Sequence, residues 1–477
     1  MRRKRTTVSL LSVQFFWQDS SVENSGIPIL PNDWGWRPEH RSTVAYSIAD
    51  TKEAVQNGNI SILARFHKNS AGGRVQIRTR NVELDPKDVM SFQITKRYPG
   101  ENALGNVAPS TIFFSKDAYS VYRGKNTMVP LKLENTEFQN LGVGIYDVNW
   151  KWEFRELDEE ASEEKGEDVW EEEWRNIRTS DIKVPRAVAN RLEMTKHRVY
   201  VLLDSPNFPW TPTIIPDFSQ GMPFRMPLDM RMLDIACLWG KGAKTKAEAA
   251  KMITDQLFAS GRFTYNTNSN YLRQSKGSVA SKLAQRLGKS DPRLQVFYLS
   301  KAMERLHGGY GFGEKANCMD CALIVSAIAN SLGCHLQIGK FQNMPDLDAS
   351  DADHYEDNRF EVNPILAIGK ESVDATMSGL LAKDGGHFFS YHTVAWLAPE
   401  GSEGIAEDFE NPATTIFDAC VQFPVEAGSD EYASATNLPL GGPEHAGSYI
   451  YHLAKDSDMG RPRCKPQPIT VSQIQIS

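Results

Sequence analysis

The sequence predicts an α+β protein with a β-sandwich-like domain over residues 1–205 and a second domain of helices and strands over residues 228–477. Three observations carry this prediction. Short strand-like runs fill roughly the first two hundred residues, six prolines cluster in a connector over residues 206–227, and beyond them helical patterns precede strand-like runs. A chain of 477 residues is long enough for two or three domains.

The N-terminal strand candidates are short and separated by Gly, Asn, Asp and Pro, as is typical of a β-sandwich. In the clearest one, residues 146–154, aromatic and aliphatic residues alternate with four polar ones, which predicts one buried and one solvated face. The polar residues of this strand are Asp147, Asn149, Lys151 and Glu153. Further strands are predicted over residues 60–66, 74–80, 111–114, 128–134 and 197–204.

The opening segment predicts a strand rather than a signal peptide. The basic run Met1 to Arg5 precedes residues 6–17, which contain serines and a glutamine and reach Asp19 without a small-residue cleavage site. As a strand, the segment would place Val8, Leu10 and Ser12 on one face and Ser9, Leu11 and Val13 on the other.

Charge and cysteine content indicate a protein made in a reducing cytosol. The net charge of -7 and pI near 5.9 do not favour a nucleic-acid partner. About 18 consecutive apolar residues occur nowhere, so we expect no membrane span. The six cysteines are unevenly placed and do not resemble a disulfide framework. We therefore expect a cytoplasmic protein as synthesised, with signal-independent export left open; the oligomeric state is not determined by the sequence.

An acidic insertion over residues 156–173 contains a dense run of carboxylates. Charge runs of this kind are usually solvated, so we expect a loop or an exposed helix. A docking surface for a basic partner is the alternative.

The second domain opens with predicted helices and continues with strands. Thr245 and Glu248 form a capping box for a helix through Ala259, and a second helix follows Asp291, carries Phe297 and ends before Gly308. A third begins near Cys318. Strand-like runs follow over residues 336–341, 391–397 and 415–423.

Cys318 lies at the start of a strongly apolar helix, and His392 and Asp418 follow on strand-like runs. A thiol, an imidazole and a carboxylate are the three parts of an activated sulfur nucleophile. The positive end of a helix dipole also favours a thiolate at such a position.

Four pieces of the sequence resemble the transglutaminase-like superfamily, which has a papain-like α+β catalytic core. They are Cys318-Met-Asp320-Cys-Ala322 with Gly333 at the end of its helix, the upstream segment Phe263-Thr-Tyr265, His392-Thr-Val-Ala-Trp396, and Ile416-Phe-Asp418. The resemblance covers roughly residues 225–425. It implies a catalytic triad of Cys318, His392 and Asp418, with Asp320 stabilising the first helical turn.

The sequence departs from the pattern of that superfamily at the histidine. The usual His-Ala-Trp start is here His-Thr-Val-Ala-Trp, which leaves His387 and His335 as alternatives to His392. His392 and Asp418 are also 26 positions apart, which exceeds what a hairpin needs, so we expect an inserted loop over residues 399–412.

The resemblance and the residue chemistry together predict an acyl-transfer enzyme that acts on peptide or protein amide bonds through a Cys318 thioester. A peptide hydrolase of the cysteine protease class is the first choice. The alternatives are a protein-glutamine transglutaminase, a deamidase, or a non-catalytic interaction protein on the same fold. We expect a protein or peptide substrate, no cofactor and no metal.

Three rival sites are weaker. Cys318 and Cys321 have redox or zinc spacing, but a continuous helix to residue 332 would place Cys334 about 24 Å along its axis, too far to share one zinc. The glycine-rich run over residues 308–313 follows a helix and lacks the Gly-Lys-Ser/Thr ending of a phosphate loop. The acidic run over residues 346–353 has Asp351 where a calcium loop requires glycine.

Overall fold

A computed structural model of the chain divides into two compact units, Met1–Asp204 and Ser205–Ser477. The domain boundaries given by the sequence stay a prediction. The structure describes residues 6–17, 43–49, 60–69, 73–81, 107–114, 126–132, 142–179, 194–207, 209–211, 226–228, 230–267, 271–274, 295–341, 360–370, 387–389, 391–402, 406–426, 429–442, 445–455 and 464–465.

The first unit consists of strands with one short helix among the described residues. The helix, α1, spans Glu159–Lys165. The strands are β1 Val8–Trp17, β2 Thr43–Ser47, β3 Ile60–Lys68, β4 Arg74–Asn81, β5 Ser110–Phe113, β6 Asn126–Lys132, β7 Gly144–Glu156, β8 Arg175–Asn176, β9 Arg178–Thr179 and β10 Met194–Leu202.

Two sheets share one hydrophobic core, as in a β-sandwich. One sheet has the order β6-β3-β1-β9, and the other has the order β2-β10-β7-β4-β5 with β8 paired to β7. Phe66 on β3 meets Trp152 on β7 edge-to-face at 5.7 Å between ring centroids. Val8, Ile77, Trp150 and other residues of both sheets are buried in the same cluster. The alternation that predicts the strands therefore selects the residues that fill this core.

The predicted faces of the opening strand are wrong beyond Leu10. Val8, Leu10 and Val13 are all buried, although an unbroken alternation would separate Val13 from the other two. The register of β1 against β3 shifts between Leu10 and Ser12. A bulge adds one residue to a strand and moves the following side chains to the opposite face.

The predicted solvated face of β7 is wrong at Glu153, which is only 3 % exposed. Its carboxylate accepts hydrogen bonds from Arg78 at 2.8 Å and from Arg80 on the neighbouring strand. Trp174 covers the Arg78 guanidinium at 4.0 Å. A buried carboxylate is tolerated when charged donors satisfy it, and alternation alone cannot reveal such partners.

The acidic insertion forms an exposed helix and a turn, in line with the expected loop or exposed helix. Helix α1 has Asp158 as its N-cap, ends at Gly166 and buries none of its residues. Arg175 pairs with Glu156 at 2.7 Å and with Glu171 at 2.9 Å. Arg175 is the first residue of β8, so these contacts lie where the chain rejoins the sheet.

The second unit mixes helices and strands, which establishes an α+β composition for this part of the chain. Its helices are α2 Met230–Trp239, α3 Lys246–Ala259, α4 Leu299–Leu306, α5 Cys318–Ser331 and α6 Tyr449–Leu453. The strands are β11 Trp210–Thr211, β12 Met226–Pro227, β13 Thr264–Tyr265, β14 Leu272–Gln274, β15 Gln295–Phe297, β16 Lys315–Ala316, β17 Gln337–Phe341, β18 Phe360–Val362, β19 Leu366–Ala367, β20 His387–Phe389, β21 His392–Leu397, β22 Thr415–Pro424, β23 Tyr432–Pro439 and β24 Cys464–Lys465.

The main sheet of this unit is antiparallel and has the order β19-β22-β21-β17-β24, with β23 paired to β22. Helix α5 packs against β21 and β22 and against helices α2 and α3. Nearly every residue of α5 is buried, so other elements pack against the helix on all of its faces. This packing fixes the start of α5 beside two central strands.

The structure confirms the predicted capping box of α3 and corrects the start of α4. Thr245 accepts a hydrogen bond from the Glu248 N–H, and the Glu248 carboxylate accepts one from the Thr245 N–H. Helix α4 begins at Leu299, whereas Phe297, predicted to be helical, lies on β15 and pairs with Leu272. Pairing between strands outweighs local helical spacing here.

Several sequence features lie mostly outside the described residues, namely the Met1 to Arg5 run, most of the proline-rich connector and the acidic run 346–353. The described end of the connector contains Trp210, which is buried and donates a 2.7 Å hydrogen bond to the Ala327 carbonyl of α5. The expected insertion between β21 and β22 includes a 3-10 helix, Ala406–Glu410. In the part of the chain that is described, none of the helices has the length and apolarity needed to cross a membrane.

Candidate active site at the start of helix α5

Cys318 is the first residue of α5, and a complete capping box defines this end of the helix. The Asn317 side chain accepts a hydrogen bond from the Asp320 N–H at 3.0 Å, and the Asp320 carboxylate accepts one from the Asn317 N–H at 3.1 Å. Asp320 therefore stabilises the first turn, as the sequence predicts. The N–H of Cys318 has no acceptor within its own helix, because the first turn lacks a preceding one.

His392 and Asp418 form a buried pair on the adjacent strands β21 and β22. Nε2 of His392 lies 2.7 Å from Oδ2 of Asp418, and the two residues are 0 % and 3 % exposed. A carboxylate only accepts hydrogen bonds, so Nε2 carries the proton of this bond. The other ring nitrogen, Nδ1, is then the atom available to exchange a proton with a thiol.

Two further donors hold the Asp418 carboxylate. The Tyr449 hydroxyl donates to Oδ2 at 2.7 Å, and the Cys420 N–H donates to Oδ1 at 2.7 Å. The register of β22 against β23 shifts between Phe417 and Gln422, so this segment departs from regular pairing around Asp418. Three donors on one carboxylate fix its position and offset its burial.

Burial lowers the pKa of His392, but the charge and hydrogen bond of Asp418 outweigh it, and the Cys318 sulfur raises the pKa further, to about 10. Among the described residues, Nδ1 is buried and has no hydrogen-bond partner at ordinary distance. The Cys318 sulfur therefore raises the pKa of His392 by less than Asp418 does. This geometry favours a charged imidazolium beside the sulfur.

Phe389 fixes the plane of the His392 ring. The two rings stack with centroids 5.0 Å apart and planes inclined by 7°. Phe389 is itself buried and packs edge-to-face on Phe360 of the paired strand. Stacking on one face and the Asp418 hydrogen bond at one edge leave the imidazole little freedom to rotate.

The structure brings His392 to Asp418 and places the two alternative histidines on other elements. His387 lies on β20, in a separate two-stranded sheet with β18. His335 follows the end of α5, is exposed and has a positive φ of 65°. The triad assignment stays a prediction, and the geometry favours His392 within it.

Four further cysteines, namely Cys237, Cys321, Cys334 and Cys420, are buried and form no disulfide. Cys321 lies one turn along α5. Its hydrogen bond with the Cys420 thiol lowers its pKa, but burial and the nearby acidic groups outweigh this effect and raise the pKa above its ordinary value. Helix α5 is continuous from Cys318 to Ser331, so Cys318 and Cys334 lie at opposite ends of the helix and are too far apart to share one zinc ion. Across the described ranges, no group of three or more His, Cys, Asp or Glu side chains is placed to hold a metal ion.

Tyr265, Tyr391 and Lys340 are further side chains that interact electrostatically with Cys318. Burial, followed by the Cys318 sulfur, raises the pKa of Tyr265 and of Tyr391. Burial lowers the pKa of Lys340, and the sulfur opposes this shift. Tyr265 pairs in register with Ala316, two residues before Cys318, while Tyr391 immediately precedes His392. Two phenols and one ammonium therefore interact with the sulfur at the start of α5.

Sequence reasoning missed Tyr449, Phe389, Lys340 and Tyr391. Tyr449 lies 31 residues after Asp418 on a five-residue helix, with no motif around it. Its contact exists only because α6 packs on the sheet at β22 and β23. A signal was available for Tyr265, since it belongs to the Phe263-Thr-Tyr265 segment of the resemblance.

A Tyr449→Phe variant is expected to keep the packing of the ring and lose one hydrogen bond to Asp418. Because the carboxylate keeps its charge and two other donors, we expect unfolding to become easier by about 1–2 kcal/mol. We expect alkylation of Cys318 to slow by no more than about tenfold. Denaturant unfolding and alkylation kinetics measure the two effects. Tyr451→Phe, on the exposed face of the same helix, is the matched control; equal behaviour of the two variants would contradict a positioning role for Tyr449.

Comparisons with known proteins found little similarity. No protein-family model and no curated protein matches the chain. Among solved structures, the chain is similar to a red sea bream transglutaminase, with a TM-score of 0.26 and 10 % sequence identity. The match covers 80 % of this chain and 50 % of the fish protein, so this chain spans about half of that protein's length. A similarity of this size establishes neither the fold nor the function of the chain.

Proposed function

We propose that the protein is a cysteine-dependent acyl-transfer enzyme that acts on peptide or protein amide bonds. The observation that carries the proposal is the buried His392–Asp418 pair, in which Nε2 is engaged at 2.7 Å and Nδ1 remains available beside the Cys318 sulfur. A histidine that only packs in the core does not require a buried carboxylate partner, a tyrosine hydroxyl bound to that carboxylate and a neighbouring thiol. The motif resemblance to the transglutaminase-like superfamily, which rests on the same three residues, agrees with this reading.

In the proposed reaction, Cys318 attacks an amide carbonyl as a thiolate. A bond forms between sulfur and the carbonyl carbon, and the resulting tetrahedral intermediate expels the amine as the carbon–nitrogen bond breaks. The His392 imidazolium gives its proton to the departing nitrogen. Water then attacks the thioester and loses a proton to His392, and the carbon–sulfur bond breaks to release a carboxylic acid and regenerate the Cys318 thiolate beside the imidazolium.

The start of α5 supplies part of the stabilisation that this intermediate needs. The oxyanion carries negative charge, and the unpaired N–H of Cys318 together with the positive helix end attracts it. Asp418 keeps the proton on Nε2 and stabilises the imidazolium, as the carboxylate of a triad does. Each of the three residues thus has a distinct role.

Water is the proposed acceptor, which makes the enzyme a peptide hydrolase. A transamidating enzyme must admit a lysine side chain, and the Lys340 ammonium repels a second cation at this site. Product analysis separates the outcomes: cleaved peptide indicates hydrolysis, and released ammonia or a crosslinked amine indicates deamidation or transamidation.

Selective alkylation of Cys318 tests the proposal without knowledge of the substrate. At about pH 6 an ordinary thiol, with a pKa near 8.5, is mostly protonated and reacts slowly. We expect iodoacetamide to label Cys318 at least about tenfold faster than a free thiol under these conditions. Peptide mapping by mass spectrometry identifies the labelled residue. Cys318 is 3 % exposed, so a small reagent is the appropriate probe.

Two variants make the alkylation test specific. Cys318→Ala should remove the fast phase, and Cys321→Ala, which changes a buried thiol one turn away, should keep it. Labelling of Cys318 no faster than a free thiol in the folded wild-type protein would reject the acyl-transfer proposal. That outcome would favour a non-catalytic interaction protein.

A further inference from the structure

Lys340 lies beside the candidate active site and is held there by an aromatic ring. It belongs to β17, where it pairs in register with Thr393, the residue after His392. Its Nζ lies 4.6 Å from the centroid of the Tyr391 ring. A cation over an aromatic face is attracted by the negative charge density of the ring, so this contact orients the ammonium.

The ammonium of Lys340 and the Cys318 sulfur are close enough to interact. The negative charge of the sulfur raises the pKa of Lys340, against the larger effect of burial, which lowers it. The same sulfur raises the pKa of Tyr391, again after burial. Both side chains are only partly buried, and Tyr391 is 38 % exposed. Lys340 and Tyr391 are therefore partly exposed side chains within electrostatic range of Cys318.

Lys340 has no carboxylate partner among the described side chains, unlike lysines elsewhere in this unit. Lys455 pairs with Glu361 at 2.6 Å, and Lys251 pairs with Asp255 at 2.6 Å. On its other side β17 is in register with β24, where the residue opposite Lys340 is another lysine, Lys465. A partly desolvated ammonium without a carboxylate partner is unfavourable, and an anionic ligand would relieve this.

We propose that Lys340, positioned by Tyr391, selects substrates that carry a carboxylate close to the carbonyl attacked by Cys318. An acidic residue of a peptide next to the cleaved bond would meet this requirement. The proposal rests on the proposed function, because it names the substrate class of the same site. Attraction at close range also raises the local concentration of anionic ligands, so discrimination should be largest at low ionic strength.

Two small alkylating reagents separate the charge of Lys340 from the reactivity of Cys318. Iodoacetate carries a carboxylate and iodoacetamide is neutral, while the reacting carbon is the same. In the wild-type protein we expect a high ratio of the iodoacetate rate to the iodoacetamide rate. In Lys340→Met this ratio should fall about fivefold, the size expected for one nearby charge in a largely aqueous setting. Lys340→Arg should keep the ratio, and Lys340→Glu should lower it further.

Activated esters test the same charge during acyl transfer and locate the preferred carboxylate. One pair compares mono-p-nitrophenyl succinate with p-nitrophenyl butyrate, which places the carboxylate on the acyl group. A second pair compares 4-acetoxybenzoate with 4-acetoxybenzamide, which places it on the leaving group. In at least one pair, Lys340→Met should lower the ratio of the rate with the anionic ester to the rate with its neutral partner. The matched control is Lys455→Met, which removes a lysine that already has a partner.

The outcomes distinguish this inference from the proposed function. Fast labelling of Cys318 with a rate ratio that is the same in wild type, Lys340→Met and Lys340→Glu would overturn the role of Lys340 and leave the acyl-transfer proposal intact. Slow labelling by both reagents in the wild-type protein would reject both. A Lys340→Met protein that fails to fold is replaced by Lys340→Gln and Tyr391→Leu, where loss of the aromatic contact should lower the ratio and an unchanged ratio in both would contradict the inference.

Discussion

A Cys318→Ala variant is expected to form no thioester and to lose turnover of activated esters by at least about 10³-fold, because removal of one member of a coupled catalytic set removes most of its effect. Cys318 is the one residue of the proposed mechanism that makes a covalent bond to the substrate. The variant lacks the sulfur, and neither His392 nor Asp418 replaces it. Only the weak reactivity of the solvent should remain.

Intact-protein mass spectrometry measures this result directly. After mixing with p-nitrophenyl acetate, the wild-type protein should gain one acetyl group that hydroxylamine removes, while Cys318→Ala gains none. The stability change should be about 1 kcal/mol, since the substitution removes a single buried atom. Cys321→Ala is the control, as it removes a buried thiol from the same helix. Equal acetylation of Cys318→Ala and wild type would rule out Cys318 as the nucleophile.

An Asp418→Asn variant is expected to change both stability and reactivity through His392. Burial lowers the pKa of His392, and the Asp418 charge is the main effect that raises it to about 10. Without that charge, burial should hold the pKa of His392 at or below its ordinary value of 6.5. The imidazolium then loses its proton near neutral pH and no longer supports a thiolate. We expect Cys318 alkylation at neutral pH to slow by about 10²-fold or more, within the range seen for triad carboxylates.

The stability effect has a definite sign. A His whose pKa is raised in the folded state stabilises the fold fully below its unfolded pKa of about 6.5 and loses this contribution as pH rises through about 10. The wild-type protein should therefore lose on the order of a few kcal/mol of unfolding free energy from this group between those pH values. In Asp418→Asn most of this loss should be absent.

Denaturant unfolding of both proteins from about pH 6 to pH 10 measures the difference, and subtraction removes groups that titrate in both. Asp418→Ala is a harsher variant, which leaves the donors of His392, Tyr449 and Cys420 without an acceptor. We expect it to be about 3–5 kcal/mol less stable than wild type. Parallel stability curves for Asp418→Asn and wild type would show that Asp418 does not hold the charge of His392.

Much of the candidate site was predictable because its parts are local in sequence. Asn317 and Asp320 form the capping box of α5 and lie three residues apart in the sequence. The Cys-x-Asp-x-Ala pattern with Gly333 indicates Cys318, and not Cys321, as the candidate nucleophile. The strands of His392 and Asp418 were also expected, although their pairing was not certain. The choice of His392 over His387 could not be made from spacing, because both lie on predicted or observed strands only five residues apart.

What the sequence determined by itself is the alternation and capping that create the elements: a β-rich first part, the helices α3 and α5, and a thiol at a helix start. These depend on contacts between near neighbours in the chain. The tertiary structure decided which distant side chains meet. The Tyr449 hydroxyl on Asp418, Phe389 against the His392 ring and the Lys340 ammonium on Tyr391 each depend on packing between separate elements. The bulge in β1 and the burial of Glu153 have the same origin, since partners on neighbouring strands override the local pattern.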